Sequence, residues 1–305
     1  MAFSAADVKN LREMTGAGMM DCKKALTTAD GDIDKAVEWL REKGIAASAK
    51  KASRVAAEGM AYAAVIDGIG VAVEVNAETD FVGKNEKFVD FVKGVAATIA
   101  RENPADLDAL MSAKYMDTDL TVTQQQQEMV LVIGENIKVR RFARFAEGVS
   151  VPYIHAGGKI GVLVNLQVSS GLEDKVEELG KDLAMQIAAL NPRFWDKSQV
   201  TQDILDEEKK VVLAQMDNDP KMASKPAPVK EKIALGKLNK FYEENCLLQQ
   251  EFVKDNTLKV EQYVASVAKS LGGTITLNTA VRFEKGEGIE KKQENFADEI
   301  ASLIK

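Results

Sequence analysis

Ile69-Gly70-Val71-Ala72-Val73-Glu74-Val75 recurs 91 residues later as Ile160-Gly161-Val162-Leu163-Val164-Asn165-Leu166, and this pair decides the fold. Both stretches read as strands by length and β-branched content. The same offset pairs apolar positions of the segments that follow, Phe88 with Leu179, Val92 with Leu183, Ala96 with Ile187 and Ile99 with Leu190, at helical spacing. A strand and a helix are therefore duplicated together. A later strand recurs too, since Arg144-Phe145-Ala146-Glu147-Gly148 resembles Arg282-Phe283-Glu284-Lys285-Gly286, now at an offset of 138. The difference, 138 less 91, places 47 extra residues inside the second copy. Residues 200 to 216 and 229 to 245 read as two helices joined by Asp217 to Pro228, with Pro220, Pro226 and Pro228 forcing a turn. Ile204, Val211, Leu238 and Phe241 are expected to close them into an antiparallel hairpin. The fold class expected is α+β, a two-lobe repeated core with mixed or antiparallel sheets whose strand order the sequence does not give.

Outward from the repeat, the first 44 residues read as three short helices. Ser4-Ala5-Ala6-Asp7 has capping-box spacing, Thr15-Gly16-Ala17-Gly18 breaks the first helix, and Asp32 caps the third, whose stripe of Ile33, Ala36, Val37 and Leu40 runs up to Gly44. Phe296, Ile300 and Leu303 give an amphipathic helix near the C-terminus. The expected divisions are a helical module over 1–45, a helical or irregular linker over 46–58, a first lobe over 59–148, a second over 149–286 with the hairpin inserted at about 197–243, and a C-terminal helix in 287–305.

Composition narrows the function classes. The 305 residues are 46% hydrophobic and 29% charged, an ordinary soluble mixture, and no run of eighteen apolar residues or signal-like N-terminal stretch occurs, so a cytoplasmic protein is expected. Against 40 basic residues stand 47 acidic ones, a net charge of -7 that disfavours general attraction to nucleic acid or anionic lipid. Cys22 and Cys246, far apart and without companions, suggest buried small side chains rather than a disulfide framework or metal pair. No cofactor and no metal site is expected.

Several separated segments resemble the elongation factor Ts family. They are Val8 to Leu26, with REMTGAGMMDCKKAL from Arg12; Glu74-Val75-Asn76 with Glu78-Thr79-Asp80-Phe81-Val82; Ile133-Gly134-Glu135-Asn136-Ile137 before Arg140-Arg141; His155 to Val164; Leu238 to Asp255, with NKFYEENCLLQQEFVKD; and Arg282-Phe283 with Gly286-Glu287-Gly288-Ile289. Glu251 stands where the family often has proline, and 104–127, with four consecutive glutamines, matches no pattern of the family. The first 44 residues also resemble a ubiquitin-associated domain.

The resemblance implies a factor that binds the GDP form of the GTPase elongation factor Tu, opens its magnesium and phosphate site, and leaves when fresh nucleotide arrives. Thr79, Asp80, Phe81 and Val82 match the turn that the family inserts beside the magnesium site. Arg12, Met19 and Met20 match the module's grip on a helix of the GTPase. Ile133 and Gly134 match a further contact segment, and His155 one that reaches a second region. Some relatives dimerise through the hairpin. Three other readings compete. An enzyme using His155 as base and Cys22 or Cys246 as nucleophile lacks any sign of an orienting group or oxyanion pocket. A scaffold would bind a peptide through residues 4 to 44. Nucleic-acid binding through Lys50, Lys51, Arg54, Lys138, Arg140 and Arg141 lacks an aromatic platform. Direct nucleotide binding is not expected either, for no glycine-rich loop ends in Gly-Lys-Ser/Thr.

Overall fold

The computed structural model describes residues 3–290. The chain opens with α1 (Ala5–Thr15), α2 (Met19–Thr28) and α3 (Ile33–Lys51). Ser4 and Asp7 form the expected reciprocal cap, with Ser4 N donating to Asp7 Oδ2 at 2.7 Å and Asp7 N to Ser4 Oγ at 3.3 Å. Val8, Leu11, Cys22, Leu26, Ala36 and Leu40 close a small core between the three helices.

The first lobe follows: β1 (Glu58–Ile66), β2 (Ile69–Ala77), a 3-10 turn at Val82–Lys84, α4 (Glu86–Glu102), α5 (Leu107–Ser112), α6 (Val122–Ile133) and β3 (Lys138–Phe145). Its sheet is antiparallel in the order β1-β2-β3. Phe88, Phe91, Val92, Val95 and Ile99 line one face of α4 and pack on Val71, Val73 and Val75 of β2. Period 2 in the strand and 3.6 in the helix thus meet at one core.

The second lobe repeats the plan with β4 (Val149–His155), β5 (Ile160–Val168), a 3-10 turn at Glu173–Lys175 and α7 (Glu177–Leu190). The insertion then projects as α8 (Gln202–Asn218), α9 (Pro220–Ala223) and α10 (Ala227–Asn245). After it come β6 (Glu251–Phe252), β7 (Asp255–Lys259), α11 (Val260–Leu271) and β8 (Ile275–Glu284), and the sheet order is β4-β5-β8, again antiparallel. The duplication reaches fine detail. A β-bulge follows Glu74 in β2 and Asn165 in β5, at the offset of 91, while Gly134 and Gly272, the left-handed caps of α6 and α11, stand 138 apart.

The two sheets stack face to face on small side chains, Ala61, Ala63 and Ala72 meeting Leu163 and Phe283. Beside them lies a charged lock. The fully buried Glu74 accepts from Arg140 Nη1 at 2.9 Å, Arg141 Nε at 2.6 Å, Asn76 Nδ2 at 2.9 Å and Gly286 N at 2.8 Å. Arg141 Nη2 also reaches Glu287 at 2.9 Å, tying the end of β8 to the first lobe. Burial works to raise the Glu74 carboxyl, and the hydrogen bonds to its charged form outweigh it, so the group lies below its ordinary value.

The α+β class is the one expected, three local expectations change, and 104–127, to which the sequence assigned no structure, gains one. The third helix does not end at Gly44 but continues to Lys51, because Gly44 is a contact point: a Cβ there would sit 3.2 Å from the Gln127 carbonyl oxygen of α6. Residues 104–127 carry α5 and the start of α6, opened by a Thr121–Gln124 capping box. In the hairpin Val211 is exposed and its neighbour Val212 faces the seam, with Met216 and Ala234. Leu190 ends α7 exposed rather than matching buried Ile99, since the second helix is the shorter one. The expected C-terminal helix at Phe296, Ile300 and Leu303 lies outside the described residues.

Candidate functional site

Strand β2 delivers Glu78 to Val82 to the rim of the first lobe. Val82 is buried and anchors the 3-10 turn, while Asp80 and Phe81 just before it are exposed, Phe81 to 79%. An aromatic ring left that far in water loses the roughly 2 to 3 kcal/mol that burying it would contribute, so its position needs a cause. The turn is held from behind. The Glu135 carboxylate accepts from Glu78 N at 3.1 Å, Thr79 N at 2.9 Å and Thr79 Oγ1 at 2.7 Å, and Asn136 N donates to Glu78 Oε1 at 2.6 Å.

The N-terminal module is docked beside this turn. Helix α3 lies along α6 with Gly44 against Gln127, Leu131 of α6 packs on the module's core, and Lys87 Nζ donates to Gly16 O at 3.2 Å. Between the two units runs a groove of about 550 Å³, lined among others by Arg12, Met19, Phe81, Val82, Ile133 and Glu135. Three segments far apart in sequence thus share one surface. Met20, exposed on the first turn of α2, and Gly134, the exposed left-handed cap of α6, are not among the groove's lining residues. The exposed Met19 gives the groove soft, adaptable apolar area, and Met20 follows it on α2.

His155 is not among the groove's lining residues. It ends β4 in the second lobe, exposed, with its Nδ1 3.0 Å from the Tyr153 hydroxyl. Both cysteines are fully buried in apolar clusters, and burial raises both thiols, Cys246 to about 11. Neither is an available thiolate, so the arrangement offers His155 no nucleophile in them. What the site presents is an apolar and aromatic edge flanked by Arg12, Lys87 and Asp80, a surface suited to binding.

Reading by residue missed Glu135, Asn136 and Lys87. The first two sit inside the quoted Ile133 to Ile137 motif, and a carboxylate directly after a helix-capping glycine is the signal that was there to be used. Other quoted motifs turn out to be structural: Glu74, Arg140, Arg141 and Gly286 lock the two lobes together, and within the second lobe Gln186 of α7 bonds Gln250 at 3.2 Å and the Glu251 carbonyl at 2.9 Å. Among the described residues no helix is long and apolar enough to cross a membrane.

The family model described as elongation factor TS matches residues 78–287. The chain is 46% identical over 307 residues to elongation factor Ts of Syntrophotalea carbinolica, covering 100% of both chains. It is 47% identical over 307 residues to that of Clostridium botulinum (strain Eklund 17B / Type B), covering 99% of each, and 47% identical over 310 residues to that of Trichlorobacter lovleyi, covering 99% of this chain and 98% of the relative. With a family model running from the groove's turn to the end of the second lobe, and relatives matched end to end, the chain belongs to the elongation factor Ts family.

Proposed function

We propose that the chain is a guanine nucleotide exchange factor for elongation factor Tu, working by binding alone. It takes hold of the GDP form, favours a state in which the magnesium and phosphate site is disrupted, and so releases GDP. Linkage supplies the rest: a partner that weakens nucleotide affinity by some factor is itself weakened by nucleotide by the same factor, so incoming GTP drives it off. The observation that carries this reading is Phe81, 79% exposed on a braced turn at the wall of a groove shared with the N-terminal module.

In this reading Phe81 is the wedge, Asp80 bonds groups that organise the metal, and Thr79 and Val82 fix the turn. Arg12, Met19 and Met20 grip a helix of the GTPase, Ile133 and Gly134 add contact along the groove, and His155 reaches a second region from the other lobe. The factor acts in the cytoplasm, makes and breaks no bond, and binds neither nucleotide nor nucleic acid nor membrane itself. Self-association we assign to the hairpin, where Val229 and Leu235 are exposed; sedimentation of the chain with and without Leu235→Glu tests that assignment, and an unchanged mass in both rejects it.

The test of function is release of labelled GDP from purified elongation factor Tu. Addition of the chain should accelerate release in a saturable way, and calorimetry should register no GTP binding to the chain alone. Unchanged release at saturating chain, or micromolar GTP binding, would overturn the proposal.

A further inference from the structure

The repeat supplies an internal comparison for the turn that carries Phe81. At the offset of 91 Phe81 matches Leu172, and both stand immediately before a 3-10 turn, Val82–Lys84 in one lobe and Glu173–Lys175 in the other. Their side chains do opposite things: Phe81 is 79% exposed, whereas Leu172 is 6% exposed and packs in the second lobe's core. The strap behind each turn is equivalent as well. Asn136 N donates to Glu78 Oε1 at 2.6 Å, and Thr274 N, 138 residues on, donates to Ser169 Oγ at 2.8 Å.

The straps differ in the residue just before, which is Glu135 in the first lobe and Gly273 in the second. A Cβ on Gly273 would lie 2.7 Å from Leu172 Cδ1 and 3.1 Å from Ser169 Cβ, so the inward leucine takes the room that a side chain there needs. In the first lobe the side chain is present, and its carboxylate receives the backbone N–H groups of Glu78 and Thr79 together with the Thr79 hydroxyl. In the second lobe an inward residue 172 and a side chain at residue 273 are therefore alternatives.

We propose that Glu135 is a positioning residue: it clasps the turn from behind, bars Phe81 from the place that Leu172 takes, and presets the ring toward the GTPase. A ring already outward loses no freedom in turning out when the partner arrives, which is where a preset wedge gains over a mobile one. The proposal rests on the reading of Phe81 as the wedge, and its test separates the two.

The reporter is the indole introduced by Phe81→Trp, in a chain whose two native tryptophans, Trp39 and Trp195, are replaced by phenylalanine. Acrylamide quenching then reads how far the side chain at position 81 is exposed, with no GTPase present. Glu135→Gly should shield the reporter indole from quencher and, in the otherwise unaltered chain, slow stimulated GDP release by roughly fivefold or more, as Phe81→Ala is expected to do. Glu135→Gln keeps the volume and one acceptor, and should retain most of both signals. Should Glu135→Gly fail to fold, Glu135→Ala is read in the same way. Equal quenching of the reporter with and without Glu135, or a Glu135→Gly chain that matches the unaltered one in exchange while Phe81→Ala does not, overturns the proposal. Glu135→Gln losing both signals as fully as Glu135→Gly contradicts the packing argument. If Phe81→Ala itself leaves release unchanged, the wedge reading fails, and quenching still decides whether Glu135 sets the ring's direction.

Discussion

Phe81 and Phe88 flank one short turn, the first in water and the second fully buried on α4 against the β2 valines. Hydropathy treats the two alike. What separates them is that Phe88 falls on the apolar stripe of a helix, whereas Phe81 precedes the helix cap and is aimed by the turn; only the family motif, not periodicity, marked it as a site residue. Phe88→Ala should therefore cost roughly 3 to 5 kcal/mol of stability through a core cavity, read from chemical denaturation. Glu74 carries a second residue-scale prediction. Alternation puts it on the strand face opposite Val73 and Val75, but nothing in the pattern says that this face is covered by another sheet, so its burial was not legible. Its carboxyl is held below the ordinary value, so its stabilisation is complete above the unfolded pKa of about 4.5 and is lost as pH falls through the lower folded one. Glu74→Ala, which leaves Arg140 and Arg141 facing a buried gap, should cost about 3 kcal/mol at neutral pH and flatten the acid limb of the stability curve. An acid limb unchanged by the substitution would place the titrating groups elsewhere.

At the scale of elements, the repeated strands and helices were readable because each has one period and one core to face. The misreadings fall where two elements compete for a residue. Gly44 resembles a helix stop and is instead the point where α3 touches α6; the adjacent Val211 and Val212 let the hairpin seam slip by one position; and the glutamine run hid the start of α6, whose later turns Met129, Val130 and Ile133 mark, though Thr121 and Gln124 already spelled its capping box. The insertion arithmetic located the hairpin but not its base. Val200, Phe241 and Cys246 form a cluster with Phe194 and Tyr242, and the ends are stitched by Phe194 N to Asn245 O at 3.0 Å and Leu247 N to Phe194 O at 2.9 Å. Excising about 197–243 would open that cluster, so the informative cut is distal. Replacing residues 209–231 by a short glycine-serine linker should leave the melting temperature of the remaining chain nearly unchanged and exchange intact. Circular dichroism showing loss of the whole fold would mean that the hairpin belongs to the core.

For the whole molecule, duplication sets the division of labour. Two copies of one strand-helix unit stack on small residues and a buried carboxylate, which makes a stiff body, and stiffness is what a wedge needs if the strain of contact is to fall on the partner. The first copy departs from the second at its turn, and the module packs beside that departure, so the groove exists only in the assembled chain. The wedge is tested most plainly by labelled GDP release from elongation factor Tu over a concentration series of the unaltered chain and of Phe81→Ala. The substitution should lower the coupling by roughly 1 to 3 kcal/mol, about 5 to 150-fold in equilibrium terms, with the melting temperature nearly unchanged. A Phe81→Ala chain that releases GDP as fast as the unaltered one at every concentration, or one that unfolds, would contradict a wedge at this turn.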